Sequence, residues 1–189
     1  MPADFTPDEQ IVYKRIGDVQ LSLNFFRPDD SRNRLPAIVF FHGGGWVHGD
    51  PGQFHPHCRY LADRSMVAIS AQYRLENVHG TRPYVCVADG KSAMRWVRSH
   101  AGQLGIDPER VAAGGGSAGG HVAAATACLT GFNEPGEDTT VSARPDALVL
   151  FNPVFDNGPD GYGHERVKDS WREFSPLHNI HEGMPPALV

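Results

Sequence analysis

Ser117 stands in the run Gly115-Gly116-Ser117-Ala118-Gly119. The pattern G-x-S-x-G presents a serine hydroxyl as a nucleophile when a strand precedes it and a helix follows. A sharp turn of that kind forces the serine into a strained backbone. It also brings chains so close that side chains at 115 and 119 would collide with their neighbours. The serine then stands at a helix N-terminus, where peptide dipoles favour developing negative charge. About 70 residues earlier comes His42-Gly43-Gly44-Gly45-Trp46. Three glycines after a buried strand can aim several backbone N–H groups into one cavity. With the N–H of Ala118, the residue after the serine, they can cradle an oxyanion. The chemistry these residue types support together is attack on an acyl carbonyl.

Other readings of the same residues are weaker. Gly114, Gly116 and Gly119 spell G-x-G-x-x-G, the dinucleotide fingerprint. That fingerprint wants the first strand of a βαβ unit and an acidic residue at the end of the next strand. Here the glycines follow the third long buried strand, and Gly136-Glu137-Asp138 falls in a polar loop. His55, His57 and Cys58 lie close together but lack a fourth metal ligand. No metal and no cofactor is expected. Cys58, Cys86 and Cys128 are odd in number and widely spaced, so they read as buried thiols.

The elements that must position these motifs follow from the apolar pattern. Residues 11–15 and 19–26 read as strands joined by a hairpin turn at Gly17-Asp18, followed by a polar loop over 27–35. Continuous apolar runs at 36–41, 66–71, 110–113 and 146–151 read as strands covered on both faces. A fifth begins at Ala187. Helices are expected over 54–64, 83–103 and 120–129. In the long one, Val85, Ala88, Ser92 and Trp96 share a face, and Arg95 and Arg98 are expected to meet water. Asp107-Pro108 reads as a turn, and a short helix is expected near Trp171. Strands alternating with helices predict an α/β class: a doubly wound, mostly parallel sheet with an N-terminal antiparallel hairpin. Ligands of such sheets bind at the carboxyl ends of the strands, where both motifs sit.

With its motifs in place, the chain resembles the α/β-hydrolase family, in the HGGG-type esterase/lipase group related to hormone-sensitive lipase. Gln72-Tyr73-Arg74-Leu75, Asp107-Pro108-Glu109-Arg110-Val111, Gly119-Gly120-His121, Ser175-Pro176-Leu177 and Pro185-Pro186-Ala187-Leu188-Val189 extend the match over about residues 20–189. Two departures stand out: Gly116 where the family often has Asp, and Gln72 where it often has Asp. The resemblance implies Ser117 as nucleophile, with Gly44, Gly45 and Ala118 as oxyanion donors. It implies His42 as an orienter of the glycine loop rather than a base. It also implies small or carbohydrate-linked carboxylic esters as substrates.

The reaction further needs an imidazole and a carboxylate, in the chain order Ser, Asp/Glu, His. In the group this chain resembles, the acid follows the strand that begins here at Ala187, and the histidine comes later still. The expectation is therefore a single domain over 1–189 whose last strands, last helix, acid and base lie beyond Val189. Asp156, after the fourth buried strand, is a substitute acid or else a turn former beside Asn157-Gly158. The segment 152–183, carrying His164, His178 and His181, is expected to cover the site. Trp46, Tyr162 and Trp171 are candidate substrate-binding walls. Arg74 and Asp89 are expected to pair beneath the site.

Two functions remain open at this point. One is a serine carboxylesterase acting through an acyl-enzyme on Ser117. The other is a non-catalytic α/β-hydrolase-like fragment serving as a binding or interaction module. The formal charge, 17 basic against 22 acidic side chains for a net −5, argues against nucleic acid as a partner. No apolar run approaches the ~20 residues of a membrane span. The acidic start Met1-Pro2-Ala3-Asp4 lacks the apolar stretch of a signal peptide. A cytoplasmic protein is the expectation, with a trimmed secreted chain as the alternative. An uncovered final sheet edge would favour a second copy of the chain as its cover.

Overall fold

Gly17 sits at φ 55° between two strands of eight residues, and this left-handed turn folds them into a hairpin. They are β1 (Glu9–Ile16) and β2 (Val19–Phe26), paired antiparallel as expected. The computed structural model describes residues 5–29 and 34–189. The N-terminal stretch Met1 to Asp4 and the middle of the polar loop at 30–33 lie outside the described residues.

The buried runs form β3 (Leu35–Phe41), β4 (Val67–Ala71), β5 (Ile106–Gly116), β6 (Leu148–Phe151) and β7 (Ala187–Leu188). The sheet runs β1-β2-β4-β3-β5-β6-β7. β2 meets β4 antiparallel, and every pairing from β4 to β7 is parallel. The helices are α1 (His55–Ala62), α2 (Glu76–His79), α3 (Pro83–Ser99), α4 (Ala101–Leu104), α5 (Ala118–Cys128), α6 (His164–Val167) and α7 (Trp171–Phe174). The chain is thus a mostly parallel α/β sheet opened by an antiparallel pair.

Alternation along the strands divides the core. Val39, Phe41, Ile69, Val111 and Ala113 face α3 and α5, burying Val87, Met94, Val97 and Val122. Ile38, Phe40 and Ala68 face the other way, onto Phe54, Cys58 and Ala62 around α1. Beside α1 that second face stays open as an apolar trough of about 620 Å³, floored by Ile38, Phe40, Ala112 and Val149 and rimmed by Tyr60 and Leu188. All three cysteines are buried and free. Among the described residues no helix is long and apolar enough to cross a membrane.

Several expectations are corrected. The long helix stops at Ser99, because His100 leaves helical geometry at φ −101°, ψ 8° and stacks its ring on Trp96. α4 follows separately and ends on Gly105 at φ 70°. Arg95 does not meet water. It is buried beneath the loop after α5, bound to Glu137, Asn133 and the carbonyl of Val141. Asp107-Pro108 is an excursion inside β5, where the register with β3 jumps from Leu35↔Ile106 to Ala37↔Val111. α5 starts at Ala118, directly after the serine, rather than at Gly120.

Candidate active site

Ser117 lies between the end of β5 and the first residue of α5, at φ 53°, ψ −119°. A non-glycine residue there stores about 1–3 kcal/mol of strain, which the surroundings must hold in place. They do so through the backbone. Ser117 N–H donates to Phe151 O at 3.0 Å, and Ser117 O accepts from both His121 N–H and Val154 N–H at 3.1 Å. The neighbouring glycines are required by contact. A Cβ at Gly115 would lie 2.5 Å from the Gly119 backbone, and one at Gly119 would lie 2.0 Å from Phe41 O. Position 116 is different: a Cβ there would meet only ordinary contacts at 3.5 Å and beyond, so its glycine is not sterically required.

The glycine loop after β3 is held at both ends. His42 is buried, donates from Nδ1 to Gly43 O at 2.8 Å, and accepts at its own carbonyl from Tyr73 Oη at 2.6 Å. Burial pulls the His42 imidazole below its ordinary pKa, which keeps the ring neutral. Gly43 N–H is taken by Gln53 Oε1 at 2.6 Å. Gly44 and Gly45 follow at φ 121° and 63°, and Gly44 O closes the turn by accepting from Val47 N–H and His48 N–H. A Cβ at Gly44 would fall 1.9 Å from His48 O. Among the described residues no acceptor takes the N–H of Gly44, Gly45 or Ala118.

Ser117, Gly44 and Gly45 line one cleft of about 400 Å³, together with Val47, His48, Tyr162 and Arg166. Tyr162 is thus part of the cleft lining. Trp46 is not: at φ 62° its indole turns under the loop and is fully buried against His121 and Phe174. Trp171 stands apart from the cleft, edge-on to His178. Asp156 also stands apart and acts as a turn former, its Oδ1 accepting from Gly158 N–H at 2.7 Å. Its Oδ1 lies 3.9 Å from His178 Nδ1.

His121, His164 and His178 are engaged elsewhere. His164 Nδ1 donates to Asn157 O, and His178 Nδ1 bonds Ser175 Oγ. His121 is wholly buried and bonds Phe174 O through Nε2. Burial pulls its pKa down to about 3. Among the described residues no histidine and no carboxylate is hydrogen-bonded to the Ser117 hydroxyl. The site thus assembles a strained serine and a set of open N–H groups, without a base.

Asp89, fully buried in α3, accepts from Arg74 N–H, Nε and Nη2 at 2.8–2.9 Å and from Lys14 Nζ at 2.7 Å. The expected pair is therefore present, and it fixes the residue that follows Tyr73. The sequence reading missed Gln53, His48 and Arg166. Gln53 and Arg166 act on the glycine loop across 10 and 121 positions, and no local pattern announces that reach.

A family model described as BD-FAE matches residues 23–156. Carboxylesterase NlhH of Mycobacterium tuberculosis is 33% identical over 133 residues, covering 68% of this chain and 41% of the relative. The probable carboxylic ester hydrolase LipM of the same organism is 33% identical over 158 residues, covering 81% of this chain and 36% of the relative. The chain thus spans well under half the length of these two relatives. The apo form of Thermogutta terrifontis esterase 2 superposes with a TM-score of 0.92 at 44% identity, over 98% of this chain and 72% of that one. The same esterase has been solved phosphoramylated by tabun and with propionate bound.

Proposed function

Since this chain belongs to the BD-FAE family, among the α/β-hydrolase esterases, we propose that it is the nucleophile-bearing part of a serine carboxylesterase acting on small esters. The observation that carries the reading is Ser117 at φ 53° in one cleft with the N–H-bearing loop of Gly44 and Gly45. Ser117 Oγ attacks the ester carbonyl carbon while a base takes its proton. The oxyanion that forms accepts from Gly44, Gly45 and Ala118, each donor contributing about 3–4 kcal/mol of transition-state stabilisation. The C–O bond then breaks, the alcohol leaves with the proton, and water frees the acyl group from Ser117. The base and its acid are read as coming from outside these 189 residues, because among the described residues no histidine bonds the serine. Short acyl groups are favoured by analogy with the Thermogutta esterase, which has been solved with propionate and with butyrate bound.

The unaccompanied serine favours a second reading, in which these residues alone bind rather than turn over. One experiment separates the two. The chain is treated with a fluorophosphonate and assayed on a short p-nitrophenyl ester, alongside Ser117→Ala. The esterase reading expects a covalent adduct on Ser117, absent from the alanine variant. It also expects hydrolysis at least about a thousandfold below that of a complete relative, since an oxyanion hole without its triad partners keeps only residual catalysis. An unlabelled Ser117 leaves the binding reading standing.

A further inference from the structure

Arg166, on α6, reaches back to the glycine loop and donates from Nη1 to Gly45 O at 2.5 Å. That bond pins the guanidinium at the cleft that holds Ser117. Arginine has five N–H donors in a flat fork, and the Gly45 carbonyl uses one. Among the described residues no carboxylate pairs with Arg166. Seven other arginines do carry ion pairs: Arg27, Arg34, Arg59, Arg74, Arg95, Arg98 and Arg110. Glu165, next in the chain, turns to Lys168 instead. Among the described residues no acidic side chain lines the cleft, and the Tyr162 hydroxyl supplies a further polar group beside Gly45. A half-buried cation with spare donors, in a cleft with no anion of its own, suits a ligand that brings one.

We propose that Arg166 is a specificity-determining residue which selects esters carrying a carboxylate or comparable anionic group near the scissile bond. A carboxylate can accept two parallel N–H bonds from the guanidinium, a geometry lysine cannot supply. This rests on Ser117 being the nucleophile.

The test uses two fluorophosphonates of equal length on the 189-residue chain, one ending in a methyl group and one in a carboxylate. The pair is made twice, with the variable end on the phosphorus-bound chain or on the alkoxy chain. Labelling forms the Ser117 Oγ–P bond and breaks P–F, and the serine proton leaves with fluoride. Intact mass gives each rate. In at least one pair, the charged-to-neutral rate ratio should fall about tenfold or more in Arg166→Gln, and partly in Arg166→Lys. In the parent the ratio should also fall as salt rises from about 0.05 to 0.5 M. A variant that slows both probes equally shows a merely structural arginine and overturns the proposal. Should Arg166→Gln not fold, a salt-independent ratio in the parent overturns it as well. If neither probe labels Ser117, the esterase reading falls and this one with it. Labelling by the neutral probe with no charge preference removes only this inference.

Discussion

Tyr73 donates its hydroxyl to the carbonyl oxygen of His42 at 2.6 Å, and the two rings stack with centroids 4.3 Å apart. This contact joins the ends of β4 and β3 just where the glycine loop begins. Burial pushes the Tyr73 phenol well above its ordinary pKa, so it remains a donor through the neutral range. From the other side, Arg74 is clamped by the buried Asp89. The glycine loop is therefore braced from the helix layer and not only from its own glycines.

Tyr73→Phe removes the donor and leaves a buried carbonyl unsatisfied. The expected cost is about 1–3 kcal/mol in unfolding free energy. The loop carrying Gly44 and Gly45 should also loosen, so phosphonylation of Ser117 should slow beyond any loss of folded protein. Urea melts with parallel labelling rates check this. Unchanged stability and labelling would show that the bond does not brace the loop.

Glycines of this chain should respond to alanine in opposite ways. At Gly119 a Cβ falls 2.0 Å from Phe41 O and 2.3 Å from His42 O, both backbone atoms that cannot yield. Gly119→Ala should leave no cooperatively folded protein. At Gly102, in α4, a Cβ meets nothing within 4 Å. Gly102→Ala should gain about 0.5–1 kcal/mol by lowering the entropy lost on folding. Thermal melts of the two variants decide it, and a folded Gly119→Ala would mean that the packing at the Ser117 turn is looser than these distances.

The two motifs were legible because each is a short run of fixed spacing, although the contacts that demand its glycines reach across the sheet: a Cβ at Gly119 would meet Phe41 O and His42 O, and one at Gly115 would meet Phe41 O as well as Gly119. The Arg74–Asp89 pair was expected as two opposite charges beneath the site, and it is present. Trp46 misled because adjacency to the glycines suggested a pocket wall. Positive φ at both Gly45 and Trp46 instead sends the indole beneath the loop. Arg95 misled because a helix read alone cannot show that the loop around Glu137 folds over it. Arg166 left no local trace, since its role depends on a contact with Gly45 across the sheet's end.

The apolar trough beside α1 should be measurable in solution. Tyr60 is 57% exposed and Leu188 68%, and they flank a floor of Ile38, Phe40 and Val149. Apolar surface gathered in this way binds amphipathic dyes where scattered side chains do not. The 189-residue chain is expected to raise the fluorescence of an anilinonaphthalene sulfonate dye while folded, and Leu188→Lys should lower that signal. A folded parent with no dye response would count against an open trough.

Acid should weaken the fold through His121. Its Nε2–H donates to Phe174 O at 3.0 Å. Burial pulls its pKa from the ordinary 6.5 down to about 3. Between those values the unfolded chain takes up a proton that the folded chain refuses. Stability is thus present in full above about pH 6.5 and falls with decreasing pH, by up to about 1.4 kcal/mol per unit, until the folded ring itself titrates. His42, lowered by its own burial, adds a slope of the same sign. Paired carboxylates also lose stability in acid, so the comparison must be with a variant. His121→Gln can keep a donor for Phe174 O and has no proton to gain. Urea midpoints of parent and variant from about pH 7 to pH 4 should diverge, the parent falling more steeply. Parallel slopes would mean that His121 is accessible to protons in the folded chain, and that the wall behind Trp46 opens on the timescale of the measurement.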